Sequence, residues 1–239
     1  MLKKFLFVIK KASLLKTVFL NFKCLPIKQA YRLPILIGKN VRIKAISGEI
    51  VIDSPIETAM IKIGMDLFFR DDYKRSSIIE NYGRLVFKGH ALFHTGVIIA
   101  TGINATLSFG DFFIVGADSI LYARESISFG TRVNISWNFQ ILDTDFHYIK
   151  KIDDSTVTSN TKPVEIGDGV WIGNHVSIGK GTILPHGTIV CSTSYVNKRF
   201  DIPNCIIGGV PAKALKEGFS RIFDQNEEIA LNKQFGLIV

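Results

Sequence analysis

A histidine and two aspartates lie close together in the segment Asp143-Thr-Asp145-Phe-His147. An imidazole titrates near neutral pH, so it can take the proton of a hydroxyl group as that group attacks a carbonyl carbon. A carboxylate that accepts the other ring proton fixes the tautomer, and Asp143 and Asp145 are candidates to orient His147 in this way. No serine or cysteine is paired with a base in the sequence, so the segment favours proton transfer over a covalent enzyme intermediate.

This segment opens the longest interruption in a six-residue repeat. An aliphatic residue recurs at every sixth position, at Ile166, Ile172, Ile178, Leu184 and Val190. Sustained six-residue periodicity with glycine after the aliphatic residue is typical of a β-helix, in which each hexapeptide is one short strand and one corner. We expect glycine there because a corner needs backbone angles that other residues enter only with strain.

The repeat continues upstream with longer spacing between coils. Three inward residues mark each coil: Phe87, Phe93 and Ile99; then Phe109, Val115 and Leu121; then Phe129, Ile135 and Ile141. Weaker copies begin at Leu36 and Met60. Three strands per coil predict an all-β solenoid with a triangular cross-section, and the phenylalanines need no ligand to explain them. The interruption at 143–162 is a loop of the length that is usually functional or disordered.

The chain divides into three parts by composition. Residues 1–30 form a basic segment in which Leu2, Phe5, Leu6, Ile9, Ala12 and Leu15 recur at helical spacing. Either packing on the domain or contact with the inner membrane surface would suit this amphipathic helix. No uncharged run approaches the roughly 20 residues of a spanning helix. The β-helix is predicted over 31–215, and a short helix and tail over 216–239.

The net charge of +8 and the three cysteines restrict the class of protein. No nucleic-acid-binding signature accompanies the basic residues, so nucleic acid is not expected as a partner. The cysteines are odd in number and widely spaced, which predicts neither disulfides nor a zinc site and favours the reducing cytoplasm. Four other histidines, predicted to be solvated surface residues at corners, are His90, His94, His175 and His186.

The segment from Ile135 to Lys216 resembles the hexapeptide-repeat O-acetyltransferases related to galactoside acetyltransferase, especially those of capsule and lipopolysaccharide gene clusters. It carries the repeat, the histidine-bearing loop and the sequence Pro211-Ala-Lys213 in the same order. The resemblance implies a left-handed parallel β-helix, a homotrimer, acetyl-coenzyme A as donor and a sugar hydroxyl or amine as acceptor. It also implies that His147 is the general base, although the usual His-Pro is here His-Tyr.

The same resemblance implies further site residues. Asn138 and Trp171 are expected at the acceptor and oxyanion pocket, or Trp171 as rim packing. The positions that match the family's donor site are Asn174, Thr193, Ser194, Asn197, Lys198 and Lys213, with the two lysines at the phosphates. The implied process is synthesis of a bacterial surface polysaccharide, and no metal is expected.

Two other functions are compatible with a β-helix. A zinc hydratase like the γ-carbonic anhydrases would need further histidines beside His147, and these would have to come from His90 or His94 on distant coils. A non-catalytic scaffold would bind no acetyl-coenzyme A.

Overall fold

A computed structural model describes residues 11–65 and 75–237. The N-terminal elements in this range are the helices α1 (Leu14–Cys24) and α2 (Ile27–Ala30). The first three coils of the solenoid follow, with strands β1 (Ile35–Ile37), β2 (Val41–Ile46), β3 (Glu49–Ile52), β4 (Ile61–Ile63), β5 (Ser77–Asn81), β6 (Arg84–Phe87), β7 (Ala91–Phe93), β8 (Ile98–Thr101) and β9 (Thr106–Phe109).

Four more coils complete the stack. The fourth and fifth contain β10 (Phe113–Val115), β11 (Ile120–Ala123), β12 (Ser126–Phe129), β13 (Asn134–Ile135), β14 (Gln140–Leu142), an excursion with β15 (Ile149–Lys150) and β16 (Val157–Thr158), and then β17 (Val164–Ile166). The sixth and seventh contain β18 (Trp171–Ile172), β19 (Ser177–Ile178), β20 (Ile183–Leu184), β21 (Ile189–Val190) and β22 (Tyr195–Val196). The chain ends with β23 (Cys205–Gly209), β24 (Ala212–Glu217) and α3 (Gln225–Gln234).

Parallel pairing between coils produces three long sheets, which are the faces of a triangular prism. The first face has the order β1-β4-β7-β10-β13-β18-β21-β23-β24, the second β2-β5-β8-β11-β14-β19-β22, and the third β20-β17-β12-β9-β6-β3. On the third face Ile127 lies opposite Val164 and Phe129 opposite Ile166. The β2–β5 pair contains a register shift, and β24 pairs with β23 in antiparallel fashion. The fold is the left-handed parallel β-helix that the sequence predicted.

The core is a set of ladders of identical or similar side chains, because every coil places its inward residue above the one before it. The five aliphatic residues of the late repeat are all buried. In the early coils Phe87, Phe109 and Phe129 stack, with ring centroids 5.2 and 5.7 Å apart. The predicted core positions and the three strands per coil are therefore confirmed.

The reason that glycine follows the aliphatic residue differs from the prediction. Gly167 and Gly173 do not have positive φ; the left-handed residues lie two positions later, at Gly169 (φ 63°) and His175 (φ 57°). A Cβ on Gly167 would lie 2.7 Å from the backbone nitrogen of His186 in the next coil. Glycine is needed there because adjacent coils approach closely, not because of the corner angle.

The N-terminal helix also differs from the prediction. Helix α1 begins at Leu14, capped by the Ser13 side chain, while Ala12 lies in an isolated bridge to Gly38. The buried side of α1 carries Thr17, Leu20 and Asn21, and Leu15 is 85% exposed. Leu2, Phe5, Leu6 and Ile9 lie outside the described residues. No helix in the described ranges has the length and apolarity needed to cross a bilayer.

Candidate active site

The histidine-bearing loop leaves the solenoid at the corner between the second and third faces, which we call the loop corner. It is a folded excursion, because β15 and β16 pair in antiparallel fashion and Thr144 bridges Thr161. At its base the Lys162 N–H donates to the Asp143 carbonyl at 3.0 Å, and the Gly181 N–H donates to the Lys162 carbonyl at 3.1 Å. The two ends of the loop are thus joined to each other and to the next coil.

Asp143 has a different role from the predicted one. Its side chain is fully buried, and its two oxygens accept hydrogen bonds from the backbone N–H groups of Arg124, Glu125 and Ser126 at 2.7, 2.8 and 2.7 Å. Arg84 occupies the position of Ser126 two coils earlier. Its N–H donates to a backbone carbonyl of the next coil, that of Ala105. The carboxylate therefore takes the place of the carbonyl that is lost where the chain turns out into the loop.

Burial raises the pKa of Asp143, and the three N–H donors act in the opposite direction. Both carboxylate oxygens of Asp143 already accept hydrogen bonds from the backbone of residues 124–126. Asp143 therefore positions the loop and does not orient the His147 ring, which corrects the sequence prediction.

Asp145 also has a partner other than the histidine. Its Oδ2 atom lies 2.5 Å from Nζ of Lys180, on the corner of the next coil, and the same ammonium donates to the Ser159 carbonyl at 2.6 Å. Lys180 thus joins the two arms of the loop. No hydrogen bond between Asp145 and the His147 ring occurs in the structure as described.

His147 is exposed on a backbone that these contacts fix. Its N–H donates to the Asp145 carbonyl at 2.7 Å, and the preceding Phe146 ring packs on Tyr122 with centroids 5.3 Å apart. The Asn160 side chain donates to the Phe146 carbonyl at 3.4 Å. The imidazole therefore faces solvent from a positioned loop, where it could meet a substrate.

The predicted pocket and donor residues are divided between different parts of the prism. Asn197 and Lys198 lie at the loop corner, two coils above the loop. Asn138, Asn174, Thr193 and Ser194 lie at the corner between the first and second faces, which we call the groove corner. Along the second face, His175 and Lys180 are five positions apart, or roughly 16 Å at about 3.3 Å per residue. Within one chain the two sets of residues are not in contact.

Four of the predicted donor-site residues have contacts within the fold. Oδ1 of Asn174 accepts a hydrogen bond from the Ser192 hydroxyl at 2.5 Å, and the Thr193 hydroxyl donates to the Ser192 carbonyl at 2.6 Å. Ser194 is buried; its hydroxyl donates to the Cys191 carbonyl at 2.8 Å and accepts from the Gly209 N–H at 3.1 Å. It therefore fixes the corner to β23, and a ligand cannot reach it, which corrects its assignment to the donor site. Lys198 is exposed with its ammonium 5.2 Å from the Phe200 ring centroid, and Lys213 is exposed in β24.

A concave groove of about 260 Å³ lies at the groove corner. It is lined by Asp118, Ile120, Asn138, Phe139, Gln140, His175 and Ser177. Nδ2 of Asn138 and Nε2 of His175 are 3.3 Å apart, and the Gln140 amide donates to the Ser177 hydroxyl at 3.0 Å. Asp118 lies below them, and burial raises its pKa. Asp118, Asn138 and His175 all have positive φ (58°, 54° and 57°), so one corner position of successive coils forms this polar row.

The sequence prediction missed the groove's Asp118 and gave His175 no role. A polar residue at the left-handed position of three successive coils is the signal that could have found them.

Trp171 lies on the first face, with part of the C-terminal segment over it. The Arg221 guanidinium carbon is 5.3 Å from the Trp171 ring centroid and 5.2 Å from that of Phe223. Burial lowers the pKa of Arg221. The Glu228 carboxylate acts on this pKa in the opposite direction. The repeat could not predict this arginine, because it lies outside the repeat.

The other histidines have varied surroundings. His90 lies between Asp111 and Glu57, at 3.1 and 3.4 Å, and stacks on Phe112. His94 is buried, contrary to the surface position expected for it. In the described part of the chain no three His, Cys, Asp or Glu side chains converge as metal ligands would.

Comparisons with known proteins extend this description. No protein-family model matches the chain. It is 29% identical over 226 residues to an uncharacterized 24.8 kDa protein in the cps region of Klebsiella pneumoniae, covering 89% of this chain and 96% of that one. It is 43% identical over 61 residues to the putative lipopolysaccharide biosynthesis O-acetyl transferase WbbJ of Escherichia coli K12, covering 25% of this chain and 30% of that one.

A solved structure has the same fold over nearly its whole length. The polySia specific acetyltransferase NeuO superimposes with a TM-score of 0.50 at 18% identity, covering 86% of this chain and 99% of that chain. At this identity the likeness concerns the fold alone.

Proposed function

We propose that the chain is a hexapeptide-repeat O-acetyltransferase, and that it transfers the acetyl group of acetyl-coenzyme A to a sugar hydroxyl during synthesis of a bacterial surface polysaccharide. Support for the acceptor class comes from two sequence relatives, which are named for a cps region and for lipopolysaccharide biosynthesis. The observation that carries the chemistry is an exposed His147 on a loop that is anchored at both ends.

In the proposed reaction His147 removes the acceptor's hydroxyl proton while the oxygen attacks the thioester carbonyl. The new C–O bond forms, the C–S bond breaks, and the imidazolium returns its proton to the coenzyme A thiolate. Backbone N–H groups, Asn138 or Trp171 would stabilise the oxyanion of the tetrahedral intermediate. The Asp145–Lys180 ion pair holds the loop backbone in place. The backbone that carries His147 is therefore positioned before the substrate binds.

We propose that the active site is shared between subunits of a homotrimer. His147 lies at the loop corner, whereas Asn138 and Asn174 lie at the groove corner of the same chain. A threefold axis along the prism would place the loop corner of one subunit against the groove corner or first face of its neighbour. The separated residues would then form one site, with Asn174, Thr193, Asn197, Lys198 and Lys213 at the donor.

Coenzyme A carries a pyrophosphate and a 3′-phosphate, so its site needs cations. Lys198 and Lys213 are exposed and lie at the end of the stack, and the Arg221 guanidinium lies over the Trp171 ring. We propose a cytoplasmic location, because three widely spaced cysteines, an odd number, do not form the pattern of a disulfide framework.

The proposal is tested by replacing the base. His147→Ala should lower kcat for acetyl transfer by roughly 10²- to 10⁴-fold, with little change in the KM for acetyl-coenzyme A. Thioester cleavage with a panel of nucleotide sugars and polysaccharide fragments is the measurement. The acid limb of the pH–rate profile should be lost as well.

His186→Ala is a matched control, because this exposed histidine lies on another corner of the prism. Equal losses in the two variants, or near-normal turnover of His147→Ala with every acceptor, would contradict the assignment of the base. Failure of the wild type to cleave acetyl-coenzyme A with any acceptor would contradict the proposed function.

A further inference from the structure

Helix α1 presents an apolar face to solvent. Its outward residues are large and exposed: Leu14 (71%), Leu15 (85%), Val18 (39%), Phe19 (53%) and Phe22 (40%). At 100° per residue they occupy one sector of about 140° that contains no polar side chain. Ile27 and Tyr31 extend this face, and the Tyr31 ring meets Phe22 edge-on at 5.3 Å. We call these seven residues the apolar cap.

The other side of α1 is tied to the solenoid, so the apolar cap cannot turn inward. Asn21 donates to the Ile35 carbonyl at 2.7 Å and accepts from the Ile35 N–H at 3.1 Å. The Thr17 hydroxyl accepts from the Ile37 N–H at 3.0 Å. These bonds satisfy the free edge of β1, the first strand of the stack. Large apolar side chains that remain outside such a fixed contact mark an interaction surface.

The excess of basic over acidic residues lies in the N-terminal part of the sequence, which includes α1 and α2. Residues 1–48 contain 11 of the 29 Lys and Arg residues and none of the 21 Asp and Glu residues. The remainder therefore has 18 basic against 21 acidic residues. Lys23 and Lys28 belong to α1 and α2 themselves. The positive charge of this protein is thus a property of the segment that carries the apolar cap.

We propose that the apolar cap docks on an anionic lipid bilayer. An amphipathic helix binds there by burying its apolar face at the boundary of headgroups and acyl chains, while lysines meet anionic headgroups. Charge favours this occupant over a second copy of the chain. Two copies joined by this surface would bring together two pairs of helices that carry Lys16, Lys23 and Lys28 and no carboxylate of their own.

Docking would orient the enzyme. Helix α1 covers the first coil and the histidine-bearing loop leaves the fifth, so four coil spacings of about 4.8 Å place the loop roughly 20 Å along the stack. This is a suitable reach for an acceptor carried on a lipid. The statement that docking orients the loop toward its acceptor depends on the proposed function. The statement that the apolar cap binds a bilayer does not depend on it.

Flotation of the full chain with vesicles tests the proposal. Binding should occur with phosphatidylcholine vesicles that contain phosphatidylglycerol, and it should weaken with added salt. The double variant Leu15→Gln/Phe19→Gln should lose at least about tenfold in partition coefficient. Its matched control is Ile152→Gln/Ile229→Gln, which replaces two exposed apolar residues elsewhere and should bind like the wild type. A thermal melt confirms that each variant is folded.

The charge is tested separately. Lys23→Gln/Lys28→Gln should weaken binding roughly 25-fold, at about fivefold per lysine, while Lys216→Gln/Lys233→Gln should not. Equal binding to neutral and anionic vesicles, or no flotation at all, would overturn the proposal. So would binding that requires removal of residues 1–10, which would mean that the chain covers its own cap. Self-association that Leu15→Gln/Phe19→Gln abolishes, in place of vesicle binding, would assign the cap to a second copy.

Discussion

The buried carboxylate of Asp143 allows a sharp test of how the loop is held. In Asp143→Asn the amide oxygen can keep the two N–H donors of Glu125 and Ser126, but the NH₂ group then faces the N–H of Arg124. Two charge-assisted hydrogen bonds become neutral, at about 1 kcal/mol each, and one buried N–H loses its acceptor, at about 1–3 kcal/mol. Relief of the buried charge offsets part of this. We expect a loss of about 2–4 kcal/mol in the free energy of unfolding.

Asp143→Ala removes the acceptor for all three N–H groups and leaves a cavity, so we expect a larger loss, of about 4–6 kcal/mol. Urea unfolding followed by circular dichroism measures both variants. The matched control is Asp168→Asn, because Asp168 accepts from the Thr131 N–H at another corner but is exposed. Its loss should be about 1 kcal/mol or less.

Both Asp143 variants should also lower kcat more than they raise the KM for the donor, because the loop base is displaced while the donor residues lie elsewhere. Equal stability of Asp143→Asn and Asp168→Asn would refute the reasoning. An Asp143→Asn protein that is more stable than the wild type would show that the desolvation cost of the carboxylate exceeds the value of its three hydrogen bonds.

Three further predictions concern the assembled enzyme. Lys198→Ala or Lys213→Ala should raise the KM for acetyl-coenzyme A by an amount equivalent to about 1.5–3 kcal/mol, with the acceptor KM nearly unchanged, and equal affinity for coenzyme A and its 3′-dephospho form would exclude phosphate recognition. Arg221→Gln should weaken binding of an anionic ligand more than Arg221→Lys, by titration calorimetry with coenzyme A; identical affinities in both variants and the wild type would leave Arg221 a packing residue only. Light scattering at micromolar concentration should give the mass of a trimer, and a stable monomer would contradict a site shared between subunits.

The sequence by itself determined the solenoid. Inward positions such as Ile172 and Phe109 follow from a periodic pattern, and the pairing of coils repeats that pattern, so register and core could be derived without coordinates. The place of the loop between Ile141 and Val164 followed for the same reason, as a break in the period. Which side of α1 is buried could not be obtained in this way. Its buried side includes Thr17 and Asn21, which are buried because they form hydrogen bonds with the free edge of β1 and not because they are apolar.

Only the tertiary structure decided what the polar residues do. Asp143 and Asp145 are adjacent to His147 in sequence, but their partners lie 17 to 19 and 35 residues away, at the corners before and after the loop. Asn138 of the groove corner and the loop that carries His147 belong to the same coil, yet a face of the prism separates them. Local spacing could not reveal either result, because a hydrogen bond between coils depends on which corners stack, and stacking brings together residues that are distant along the chain.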